Sequence, residues 1–190
     1  MSTAGPAHEA DLAGHAERAS RTGMTVFIMS EAVLFLNLIA AYLYLRFSSM
    51  HWPPPGVAPL ELAYPSVLTV VLLASGVPMH WAHLGIQKGN RRSLVVGLVL
   101  TILLGTAFIL GQAYEWSTAH FTVQGSVFGS TFFTLTGFHG AHVLVGLIFL
   151  SVTLARTLRG HFSAENHFAV WAGAWYWHFV DAVFGVLYVL

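Results

Sequence analysis

Five apolar runs, each long enough to cross a bilayer, constrain this chain more than any other feature. They fall near residues 22–47, 64–87, 93–116, 127–155 and 167–190. About 20 apolar residues span the hydrocarbon core, and lipid leaves a backbone two ways to satisfy its polar groups, a helix or a closed barrel. Runs of this length predict helices. Composition agrees: 56% of residues are hydrophobic and 8% are charged, with mean hydropathy +0.68, against roughly 25% charged in an average soluble domain. The expected fold is an all-α integral membrane protein, a bundle of five transmembrane helices. A polar N-terminal tail, 1–21, precedes the membrane domain, 22–190. That tail has no apolar stretch of the kind a signal peptide needs and reads as a loose segment or a short surface helix.

The breaks between runs carry the expected punctuation. His51-Trp52-Pro53-Pro54-Pro55-Gly56 cannot be helical, since prolines remove donors and clash with the preceding turn. Lys88-Gly89-Asn90-Arg91-Arg92 is a short polar hairpin. Gln124-Gly125-Ser126 and Arg159-Gly160-His161 mark the later links, and Asn166 is the expected cap of the fifth helix. Charge orients the bundle. Arg18, Arg21, Lys88, Arg91, Arg92, Arg156 and Arg159 fall on one side and Arg46 alone on the other. Seven against one predicts a cytoplasmic N-terminus and an outside C-terminus. No internal repeat is visible, which disfavours an inverted-repeat transporter. The net charge of +0 argues against a nucleic-acid partner, and the absence of cysteine excludes disulfides, thiolate metal sites and covalently attached c-type haem.

Against this background the intramembrane ionisable residues are conspicuous. A carboxyl or imidazole in the hydrocarbon core is costly and marks a functional site by default. At 1.5 Å per residue, Glu31 lies about 5 Å to the cytoplasmic side of the first span's centre. His139 and His142 fall at the centre of the fourth span, and His178 at that of the fifth, with Asp181 about 4 Å further out. His80 and His83 lie deeper toward the cytoplasm, past the helix-bending Pro78. His139/His142 and His178/Asp181 are i,i+3 pairs and share a helix face. The i±3 and i±4 neighbours of Glu31 are Phe27, Ile28, Leu34 and Phe35, so its partner must come from another helix, or it is protonated.

Three readings of this layer stay open. Six histidines in three spans could ligate a metal or haem, although no H-E-x-x-H or E-x-x-H pattern appears. Glu31 and Asp181 could belong to a proton or ion path. Or the layer supplies interhelical hydrogen bonds that lock the bundle, aided by small residues such as Gly125-x-x-x-Gly129 and Gly137/Gly140. Physics alone favours the third. Trp171, Trp175, Tyr176 and Trp177 read as an interfacial anchor or as a surface packed on lipid or a partner. Gln112-Ala113-Tyr114-Glu115-Trp116 reads as an interfacial end to the third span.

Four segments, in order and each on its own span, carry a resemblance. Ser30-Glu31-Ala32, Gln112-Ala113-Tyr114-Glu115-Trp116, Gly129-Ser130-Thr131-Phe132-Phe133-Thr134-Leu135-Thr136-Gly137-Phe138-His139-Gly140-Ala141-His142-Val143 and Tyr176-Trp177-His178-Phe179-Val180-Asp181 resemble subunit III of the haem–copper cytochrome c oxidases, in a short five-helix bacterial form. The resemblance covers nearly all of residues 22–190. It departs at Leu34-Phe35, where a second aromatic usually follows the Ser-Glu motif, and at Asn37, a polar residue unusual in that helix.

The resemblance implies a non-catalytic subunit of the respiratory chain in the inner (plasma) membrane of a bacterium. Its partners are the catalytic subunit I and the copper-bearing subunit II, which hold the haems and copper. This chain then carries no catalytic residue, metal or cofactor of its own. It cradles phospholipid and supports turnover and proton uptake by its neighbour. Glu31 matches a buried, carbodiimide-reactive carboxyl. His139, His142, His178 and Asp181 match positions that hold helices together. Gln112, Tyr114 and Glu115 match the motif at the outer end of the third span. Subunit III of quinol oxidases and an accessory protein of nitric oxide reductase share the fold and stand as alternatives, as does an independent carrier or metal-binding membrane protein.

Overall fold

A computed structural model describes residues 6–55 and 62–190, with side chains at Leu12 and from residue 14 onward. Gly56 of the proline-rich link lies outside the described residues. The described chain is helical, without strands: α1 (Pro6–Ser48), α2 (Ala63–Gln87), α3 (Arg91–Thr118), α4 (Val127–Leu158) and α5 (Phe168–Val189). Four stretches are long and apolar enough to cross a membrane: Gly14–Ser48, Ala63–Gln87, Arg91–Thr118 and Val127–Leu158. α5 is not among these four, and it carries Trp171, Trp175, Tyr176, Trp177, His178 and Asp181.

The helix bounds lie close to the apolar runs, with one large exception. α1 has 43 residues, about 65 Å of helix, roughly twice the hydrocarbon thickness. The polar segment before Thr22 continues the first helix with no break. A helix outside lipid needs no apolar face, and this one carries an exposed i,i+4 pair, Arg21 Nη2 to Glu17 Oε1 at 2.8 Å.

The α2–α3 hairpin turns at Gly89 (φ +68°). Asn90 caps α3, its Oδ1 accepting from Ser93 N–H at 3.1 Å. The two helices then pack almost backbone to backbone: a Cβ on Gly97 would meet the Pro78 carbonyl oxygen at 2.5 Å. Ser126 caps α4 by accepting from Gly129 N–H at 3.0 Å. Gly125 therefore lies in the turn before α4 and Gly129 packs on Thr122 of that link. The expected helix-contact role of this pair is corrected. Asn166 does not cap α5 either: its N–H donates to Ser163 Oγ at 3.2 Å, and His167 precedes the helix without a side-chain cap.

α2, α3, α4 and α5 form a ring in which each packs on the next and α5 closes onto α2, while α1, among the described helices, leans on α4 and α5. The ring encloses Leu72, Met79, Leu94, Leu98, Phe108, Val143, Trp177 and Val180, all buried. Trp177 ties it together. Its indole N–H donates to Ser75 Oγ of α2 at 2.8 Å, and its ring lies against Gly105 of α3 and Gly146 of α4. At the other end of α1, Tyr42 Oη donates to the Leu190 carbonyl at 2.7 Å, and Arg46 donates to the same oxygen. The opposite side of α1 exposes Val26, Met29, Val33 and Leu36.

Candidate functional site

Where α1 crosses α4, the apolar periodicity of both helices is broken by one polar pair. Glu31 Oε2 lies 2.8 Å from His142 Nε2. The other ring nitrogen, His142 Nδ1, is 2.7 Å from the Phe138 carbonyl one turn earlier on α4. A carbonyl only accepts, so Nδ1 carries the hydrogen. In a neutral ring Nε2 must then accept, and Glu31 supplies the proton. If His142 holds both protons, Glu31 is the carboxylate. Either way the pair shares one proton and has no net charge, which is how lipid tolerates such groups. The pair is part-buried, with side-chain exposures of 16% for His142 and 20% for Glu31. Phe35 covers it edge-on, 4.9 Å from the His142 ring. Tyr176 of α5 adds a third helix, its Oη donating to the His142 carbonyl at 3.1 Å.

The shared face expected for His139 and His142 divides in the fold. His142 turns to α1, whereas His139 points into the bundle and is fully buried. Its ring stacks on Phe184 at 4.8 Å and meets Phe108 edge-on at 5.8 Å. His178 and Asp181 stay together: His178 Nδ1 is 3.9 Å from Asp181 Oδ2, beyond hydrogen-bond reach. Asp181 is buried against α2, where a Cβ on Gly76 would stand 2.7 Å from Oδ2. The His178 ring is 6.2 Å from that of His80. One turn toward the C-terminal end of α2, His83 Nε2 is 3.1 Å from Gln87 Nε2, and its ring lies 6.3 Å from that of His167. Among the described residues no three His, Cys, Asp or Glu side chains converge on a point that could hold a metal ion.

The motif ending α3 splits between two faces. Gln112 is buried toward α4, and Tyr114 is exposed beside Tyr64 at 5.6 Å. Glu115 is part-buried. Trp116 Nε1 donates to Thr136 Oγ1 of α4 at 3.2 Å. The tryptophan-rich stretch of α5 divides likewise. Trp175 is exposed and Trp171 lies under Arg21 at 5.0 Å, while Tyr176 and Trp177 are buried. Neither an interfacial anchor nor a surface packed on lipid or a partner accounts for the inward pair. Ser75 carried no signal at all, since its partner lies 102 residues away.

The arrangement can bind helices to one another and exchange one proton between an acid and an imidazole. Comparison with known proteins places it. The sequence model for the family Cytochrome c oxidase subunit III matches residues 7–190. The chain is 45% identical over 179 residues to cytochrome c oxidase subunit 3 of Papio hamadryas, covering 91% of this chain and 69% of that protein. The subunits 3 of Pongo abelii and Gallus gallus are each 46% identical over 179 residues, with the same coverage. With the four membrane-length helices and the order of the four motifs, these matches mean that the chain belongs to the cytochrome c oxidase subunit III family.

Proposed function

We propose that this chain, as subunit III of a haem–copper oxidase, does its work by structure rather than by chemistry of its own. In this reading it docks to the catalytic subunit I and the copper-bearing subunit II, which carry the haems and copper. It holds phospholipid and sustains the stability and proton uptake of its neighbour. The observation that carries the reading is the Glu31–His142 bond at 2.8 Å. It uses the one carboxyl of α1's apolar stretch to fasten a helix that, among the described helices, leans on α4 and α5. His142 is doubly occupied by Glu31 and the Phe138 carbonyl, which favours a fastening role over ligation.

The same reading has all five helices crossing the inner membrane of a bacterium, with the N-terminus in the cytoplasm and the C-terminus outside. The seven-to-one division of basic side chains supports that orientation. α5 qualifies as a span despite its polar groups because it closes the ring between α4 and α2, where Asp181 is buried against protein. The test is purification in mild detergent followed by a visible spectrum and identification of what co-purifies. Haem-bearing subunits I and II with this chain support the proposal. A lone, coloured chain overturns it.

A further inference from the structure

Two buried polar side chains on the α3–α4 seam have no hydrogen-bond partner among the described protein atoms. Neither ring nitrogen of His139 is bonded, nor is Gln112 Oε1. His139 is fully buried and Gln112 is 4% exposed. A neutral imidazole presents one N–H and one lone pair, and an amide oxygen presents lone pairs only. Whatever satisfies both groups must donate as well as accept.

The two occupy neighbouring positions on the seam between the same two helices. Phe108 of α3 meets the His139 ring edge-on at 5.8 Å, and Gln112 is one turn further along the same face of α3. On α4, Gly140 follows His139 and has no side chain. A Cβ there would lie 3.5 Å from Gln112 Oε1, so the glycine leaves room beside that oxygen. Apolar rings close the other sides: Phe184 stacks on His139 at 4.8 Å and Phe35 stands edge-on at 6.5 Å. One turn outward, Trp116 and Thr136 join the same two helices directly.

We propose that His139 and Gln112 hold one or two ordered water molecules that bridge α3 to α4. Water both donates and accepts, and it is small enough for a space left by a missing methyl group. An anion would face the Gln112 oxygen, and an apolar guest would leave every polar atom unmet. A metal would find too few ligands, since no three His, Cys, Asp or Glu side chains converge there. The bridge is separate from the Glu31 pair, because both ring nitrogens of His142 are already engaged.

Cryo-electron microscopy of the assembled oxidase in lipid nanodiscs, at a resolution that shows ordered water, tests this. Density should stand about 2.6–3.2 Å from a His139 ring nitrogen and from Gln112 Oε1, as one peak or a linked pair. A dry site, or His139 bonded directly to a protein atom, overturns the proposal. Thermal release of the subunit from the complex gives a second readout, using His139→Phe, Gln112→Met and the double variant. A shared water makes the double loss in release temperature smaller than the sum of the singles; additive losses overturn the bridge. If His139→Phe does not assemble, the density in the unsubstituted complex still decides.

Discussion

Replacing Glu31 by glutamine and by leucine separates the hydrogen bond from the acid. His142 is fixed by its Nδ1 contact to the Phe138 carbonyl at 2.7 Å, so Nε2 is the atom left to pair. An amide at position 31 can still donate to Nε2 across the same 2.8 Å gap; an isobutyl group cannot. Interhelical hydrogen bonds in membranes average about 0.6 kcal/mol and reach about 1.7. A short contact between an acid and a base belongs near the top of that range. Leucine also strands Nε2 on a side chain only 16% exposed, in surroundings where lipid offers no replacement partner. Glu31→Leu is therefore expected to cost about 1–2 kcal/mol and Glu31→Gln less than about 0.5. The assay is thermal release of the subunit from purified oxidase in lipid nanodiscs. Equal losses for the two variants would refute the hydrogen-bond argument. Pumped protons per electron in vesicles give the functional arm, and Glu31→Gln should leave them unchanged. Complete loss of pumping in an intact, lipid-replete complex would sink the structural account.

Three further outcomes are expected. Ser75→Ala strands the fully buried Trp177 indole N–H and should lower stability by about 1–3 kcal/mol; an unchanged release temperature would show that the indole finds another acceptor. Gly105→Ala puts a Cβ 2.6 Å from Trp177 Cη2 and 2.9 Å from Leu147 Cδ2, and the Ser75 bond holds the indole in place. A loss of about 1–3 kcal/mol from overpacking should follow, and full stability would mean the indole has slack the packing denies. A reporter fused after Leu190 should be active only outside the cytoplasm; activity inside contradicts the orientation drawn from the basic residues.

Much of the architecture was legible in the sequence because lipid is an exacting solvent. A backbone that cannot bond to water must bond to itself, so apolar runs and their Pro/Gly breaks mark the helices to within a few residues. Rise per residue put Glu31 and His142 near one level, and their 2.8 Å contact agrees. What periodicity could not supply was rotation and partnership. His139 and His142 are equivalent by spacing; the packing of the helices gave one to Glu31 and set the other among phenylalanines. Tyr176 and Trp177 look like their neighbours Trp171 and Trp175 until the ring of α2–α5 assigns inner and outer faces. The backward extension of α1 was hidden because a polar helix outside lipid obeys no apolar period. The sequence by itself determined a helical membrane bundle with ionisable side chains inside its apolar runs, because solvent and chain length decide that locally. Only the tertiary structure decided which of those side chains meet, because each meeting depends on how two distant helices pack.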